Sequence, residues 1–141
     1  MPFGQVPVLE VDGKVLSQSN AIARYIASEH GLTGNDAWDA AVCDQWIDAL
    51  MDVLHHLVVW KYTGKTQQVK DEARKTLYET ALPGFLGRVT AALESNPDGF
   101  LVCGKVRFTD AVVVVSVHLY SRLTRRVSPF AVASESMSDK L

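Results

Sequence analysis

Residues 1–27 read MPFGQVPVLEVDGKVLSQSNAIARYIA, and this stretch decides how the rest of the chain is read. Val8–Val11 and Lys14–Ser17 are short runs with strand character, and Asp12-Gly13 between them supplies the positive backbone angles of a tight hairpin turn. Val6-Pro7 opens the first strand. Gln18-Ser19-Asn20 follows the second, at the start of a helix whose apolar face runs through Ala21, Ile22, Tyr25 and Ile26. A helix start presents outward N–H groups and the positive end of a dipole, which favours a carboxylate. Beside it, the backbone around the proline has free hydrogen-bonding groups. Read together, these features predict half of a site for a small anionic peptide.

Working outward, Gly31 ends the first helix, and GLTGND, residues 31–36, is a run of turn formers where the composition changes. From Ala37 to about Trp60 apolar residues recur at helical spacing, through Trp38, Val42, Trp46, Leu50, Leu54 and Leu57, predicting one long helix that Tyr62-Thr63-Gly64-Lys65 breaks. A second helix is predicted from about Gln67 to Glu94, kinked at Pro83-Gly84, because proline removes a helical hydrogen bond and crowds the previous turn. Asn96-Pro97-Asp98-Gly99 reads as a loop. Val112–Val115 has strand propensity, but the apolar stretch to Leu123 is longer than a usual strand, so a third helix is expected over about 109–123.

The chain has 141 residues, 48% hydrophobic and 21% charged, with a net charge of −2. That composition is globular and gives no sign of a nucleic-acid or membrane-binding surface. The longest apolar run, Ala111–Val115, is far too short to span a bilayer. The start of the chain lacks the basic and apolar pattern of a secretory signal. Cys43 and Cys103 are far apart and form no CxxC, so both are expected to be reduced, buried thiols of a cytoplasmic protein. His55 and His56 are adjacent and project about 100° apart on a helix, and with His118 they show no ligand spacing. No metal is expected. The three tryptophans sit at core-like spacing.

Gln5 through Gly13, then Gln18-Ser19, then Ala21-Ile22-Ala23-Arg24-Tyr25-Ile26-Ala27 closely resemble the glutathione S-transferases, and among them the sigma class, which includes glutathione-dependent prostaglandin D synthases and S-crystallins. The resemblance continues more weakly to about Arg122. It implies an α+β chain: an incomplete thioredoxin-like part (the β-hairpin plus a helix) over 1–31, a linker at 32–36, an all-helical C-terminal domain over 37–123, and a divergent tail, 124–141, expected to be disordered.

The resemblance also assigns residues. Pro7 matches the family's cis proline, which would aim the backbone of Val6 at the cysteinyl part of glutathione, as a strand pairs with an edge peptide. An ordinary strand-start proline is the alternative. Ser19 matches the residue that meets the γ-glutamyl carboxylate at the helix N-terminus, and Gln18 its neighbour at the amino-acid head. Simple helix capping by Ser19 uses the same N–H groups. Asp52, with Asp48 one turn earlier, matches the aspartate that reaches the partner's γ-glutamyl amine in a homodimer; a solvated helix face is the alternative. Gln5 falls near the cysteinyl–glycine part.

In the family a strand, a helix and another strand precede the Val-Pro loop, and the catalytic tyrosine ends the first strand. None of Tyr25, Tyr62, Tyr78 and Tyr120 matches that position. The expected function is therefore a glutathione S-transferase-like protein, with glutathione as co-substrate and small electrophiles as partners, in a chain poorly equipped for turnover alone. The alternatives are a non-catalytic S-crystallin-like protein or an inactive fragment. One departure concerns folding. The family's buried helix usually starts Ser/Thr-x-x-Asp, a reciprocal cap. Here Asp110 is in place, but Arg107 stands where the hydroxyl belongs.

Overall fold

The computed structural model describes residues 1–102 and 104–124, with Val117 and residues 119–124 as backbone only. Expectations for Cys103, the Tyr120 side chain and the tail beyond 124 lie outside the described residues.

Strands β1 (Val8–Val11) and β2 (Lys14–Ser17) pair antiparallel, with Val8 opposite Ser17 and Val11 opposite Lys14. Asp12 and Gly13 between them have φ of 49° and 75°, the two left-handed residues that a two-residue hairpin with native twist requires. Helix α1 (Ser19–Glu29) follows directly. It ends as the sequence predicts: Gly31 adopts φ 66°, and Leu32 N–H returns to Ala27 O at 2.8 Å, the six-to-one bond of a glycine-terminated helix.

Helix α2 (Ala37–Val58) is capped by the Asp36 carboxylate, which accepts from Asp39 N–H. Its buried stripe is Cys43, Ile47, Leu50, Val53 and Leu57. Trp38 lies five residues before Cys43, about 140° around the helix from it, and is 77% exposed. Core packing therefore fails for this tryptophan. Trp46 does pack inward, edge-on to the fully buried Phe85 at 6.2 Å.

The predicted second helix is divided. Helix α3 (Gln67–Thr76), capped by the Thr66 hydroxyl, passes through a π-helical turn at Leu77–Ala81 into α4 (Leu82–Ser95). Leu82 N–H reaches back five residues to Leu77 O. The sequence predicts a kink at Pro83, and the structure widens the turn just before it, a recognised way for a helix to take up a local defect. A matching π turn, Val59–Thr63, ends the α2 segment, and the two turns meet through Trp60 and Tyr78, with ring centroids 5.8 Å apart.

Helix α5 (Phe108–Thr124) confirms helix over strand for the valine run. Packing decides it: Val113 and Val114 are buried while Val115 is 64% exposed. The core lies between α2, α4 and α5, with Leu77, Phe85, Leu86 and Val89 facing the α2 stripe and Ala27 of α1 joining one end. Each such large side chain contributes roughly 1.5–3 kcal/mol by leaving water. Among the described residues no helix is long and apolar enough to cross a membrane.

Candidate functional site

The site is built on the open end of the hairpin. Val8 pairs with Ser17, so the chain entering at Val6-Pro7 and the chain leaving at Gln18-Ser19 part from the same end of one ladder. The Val6–Pro7 peptide bond is cis. Gln5, Val6, Pro7, Gln18 and Ser19 are all exposed, and Val6 is 79% exposed. Five of the six residues singled out from the sequence thus share one end of the hairpin.

The start of α1 is unusual in two respects. Gln18 occupies the cap position but makes no side-chain cap hydrogen bond, and the first turn contains no acidic side chain. Capping by Ser19, the plain alternative, is not what the geometry does: Ser19 is already the first helical residue. The first-turn N–H groups are left to an outside acceptor, which is the arrangement that binds anions. Second, Gln18 has φ 74° and ψ 116°, a conformation a side chain with a Cβ adopts at a cost of order 1–3 kcal/mol. Residues held in this way cluster at ligand sites.

Asp52, the sixth residue, is not part of this group. It lies exposed on α2, two turns beyond Asp44, in line with Asp48. Arg24 of α1 pairs with Asp44 through Nε and reaches Asp48 with its other end at 3.5 Å, tying α1 to the acidic side of α2. Asp52 extends that acidic line.

Sequence reading missed Ser17. It is buried, and its hydroxyl has no partner among the described residues. Its position directly before Gln18 was the available signal. Also unforeseen is a groove of about 290 Å³ lined by Leu9, Val11, Lys14, Leu16 and Tyr25. It runs toward the closed end of the hairpin, away from Val6, and Tyr25 belongs to it. Tyr62 sits in the first π turn, and Tyr78 packs on Trp60. Cys43 is fully buried and free, and burial pushes its thiol above the ordinary 9.0. Among the described residues no group of His, Cys, Asp or Glu side chains is placed to hold a metal.

The chain thus joins a β-hairpin and helix, with a cis proline at one end, to an all-helical bundle. Comparison with known proteins is specific. The family model for the glutathione S-transferase N-terminal domain matches residues 1–28, and that for the C-terminal domain matches residues 51–132. The chain belongs to the glutathione S-transferase family. The C-terminal match runs about ten residues past Arg122, where the weaker resemblance was expected to end.

The chain is 41% identical over 119 residues to probable glutathione S-transferase 7 of Caenorhabditis elegans, covering 79% of this chain and 55% of that protein. It is 34% identical over 125 residues to a glutathione S-transferase of Anopheles gambiae, covering 89% and 61%. It thus spans little more than half the length of these curated relatives. Among solved structures, the prostaglandin synthase D of Nilaparvata lugens superposes with a TM-score of 0.84 at 28% identity, covering 99% of this chain and 69% of that one. A Nu-class transferase of Haemonchus contortus does so with a TM-score of 0.79 at 33% identity and the same coverage.

Proposed function

We propose that this chain binds glutathione at the open end of its hairpin, as a sigma-class-like transferase. Val6 pairs its backbone with the cysteinyl part. Ser19 and the first turn of α1 take the γ-glutamyl carboxylate, Gln18 takes the amino-acid head, and Gln5 lies toward the glycine end. The observation that carries this reading is the common origin of Val6 and Ser19 at one end of the β-ladder, beside a helix start that no side chain caps. Charge-assisted hydrogen bonds from several N–H groups to one carboxylate are the strong kind. The natural co-reactants are small electrophiles, attacked by the glutathione sulfur in the cytoplasm.

A homodimer fits the same reading, with the exposed acidic line of α2 placing Asp52 at the glutathione amine of a second copy. The division at 32–36, between a glutathione-binding part and a helical domain, is part of this proposal.

A second, non-catalytic reading is favoured by the tyrosines. A phenol donating to the glutathione sulfur would lower its pKa and generate the thiolate nucleophile. Among the described tyrosine side chains, Tyr25 faces the groove at the other end of the hairpin, Tyr78 is engaged with Trp60, and Tyr62 lies in the π turn. We infer that the chain as given holds glutathione without activating it.

Titration calorimetry with glutathione, beside a conjugation assay with 1-chloro-2,4-dinitrobenzene, tests both statements. Binding in the micromolar-to-millimolar range, about 4–8 kcal/mol, with turnover near background is expected. Absence of binding at about ten millimolar ligand would end the glutathione-site reading. Rapid conjugation would end the inference of an unactivated thiol.

A further inference from the structure

Arg107 is a fully buried side chain (0% exposed), and its bonds run in two directions. Its backbone N–H donates to Asp110 Oδ2 at 2.8 Å, and the other carboxylate oxygen accepts from Leu101 N–H at 3.0 Å. This is half of a reciprocal cap at the start of α5. The other half, a capping side chain, is missing: Asp110 N–H goes to Arg107 O at 3.1 Å instead. The guanidinium turns away from α5. Nη1 donates to Gly31 O at 3.2 Å, and Nη2 to Asn35 Oδ1 at 2.9 Å.

Gly31 lies just past the C-terminus of α1, the negative end of that helix's dipole, where a cation is favoured. Asn35 N–H in turn bonds Asp39 Oδ2 in the first turns of α2 at 3.0 Å. Phe108 N–H adds a bond to Leu32 O at 3.2 Å. One side chain therefore touches the end of α1 and the linker before α2 from its seat at the start of α5. No carboxylate among the described residues forms an ion pair with it, and its Nε has no partner among them. Burying a charge without a paired carboxylate is costly. A role confined to α5 would be served better by the small hydroxyl residue that caps a helix without that cost.

We propose that Arg107 is a positioning residue, a clamp that fixes the linker and the C-terminal end of α1 against α5. Through the rigid helix α1 it sets where the Ser19 end stands relative to α2. At this position the chain carries a bond between elements and no side-chain cap. This inference uses the proposed glutathione site for its consequence, while the clamp itself rests on the contacts around Arg107.

The test separates clamp from cap. Arg107→Ser restores a capping hydroxyl to α5 and removes the clamp. Amide hydrogen exchange on the intact chain should then accelerate about tenfold or more in residues 19–35, while the first turns of α5 stay unchanged or slow. Glutathione affinity should fall several-fold in the same variant. Equal acceleration in α1 and α5, or none in α1, overturns the clamp. Should Arg107→Ser fail to fold, Asn35→Ala removes one exposed acceptor. Acceleration confined to residues 19–35 supports the proposal, and unchanged exchange there overturns it. Because exchange is read without ligand, failure of the glutathione reading would leave the exchange pattern intact, whereas failure of the clamp would abolish it.

Discussion

Asp110→Ala removes a buried carboxylate that accepts two backbone hydrogen bonds. The side chain is 1% exposed, and its two oxygens accept from the backbone N–H groups of Arg107 and Leu101, themselves 0% and 6% exposed. Alanine leaves both donors buried with no acceptor and little room for water. An orphaned buried donor costs roughly 1–3 kcal/mol, so two cost about 4 kcal/mol together. That is a large share of the roughly 5–15 kcal/mol by which a domain is stable. Helical circular dichroism followed through a urea titration reads the loss. With a slope of about 2 kcal/mol/M, the midpoint should drop by about 2 M. Asp110→Asn keeps one oxygen and presents an amide donor to the second N–H, so its midpoint should fall below that of the parent but stay above that of Asp110→Ala. A fall of less than about 0.5 M in Asp110→Ala would refute the assignment of these two bonds as the hold on the start of α5.

Gln18→Gly should relax the backbone at φ 74° and raise the urea midpoint by the equivalent of about 1 kcal/mol, while glutathione affinity measured by calorimetry declines with loss of the side chain. Arg24→Ala should cost under about 1 kcal/mol, because the pair it makes with Asp44 is 35% and 43% exposed; 1 M salt should shrink the difference. Cys43 carries a thiol pushed up by burial. The folded state therefore retains a proton that the unfolded state releases, and the stabilising contribution is full below the ordinary thiol range and lost as pH rises through and above it. Parent protein should lose stability on going from pH 8 to 10 more steeply than Cys43→Ala, read as urea midpoints at each pH.

The hairpin and the first helix were legible because their signals are local. Asp12-Gly13 can satisfy a two-residue turn by itself, and Gly31 can end a helix whatever surrounds it. The long helices were legible from period alone, since α2 buries a stripe at three- and four-residue steps. Trp38 misled because an apolar residue near the stripe looks like core until the helix phase is counted. The π turn at Leu77–Ala81 was not legible as such. Pro83 announces a defect in the ladder but not its form, and the widened turn carries Tyr78 against Trp60, a contact between residues far apart in sequence. Arg107 was legible only as an anomaly. That a capping hydroxyl was missing could be read from the residues, but where a guanidinium would go is a property of the assembled linker. Of the candidate site, Gln5 through Pro7 and Gln18-Ser19 followed from residue order once the hairpin was assigned, because pairing Val8 with Ser17 leaves them no other end to occupy. Asp52 had no such constraint, and the structure leaves it on an open face.

Two local preferences, a side-chain cap and a negative φ, are set aside together at Gln18. Helix α2 starts on Asp36 and α3 on Thr66, each with a side-chain oxygen on the N–H three residues along. Helix α1 starts on Gln18, a residue that caps nothing and whose φ suits glycine. A chain selected for stability alone would place Gly, Asn or Asp there, and each would lower the cost of that conformation. Retaining glutamine sets intrinsic stability against something the side chain and the uncapped N–H groups supply, and sites where local preference and structure disagree are those where function is expected. The disagreement falls beside Val6 and not at the starts of α2 or α3, where an extended residue caps the helix. It is thus evidence for a ligand at this end of the hairpin that owes nothing to likeness with other proteins.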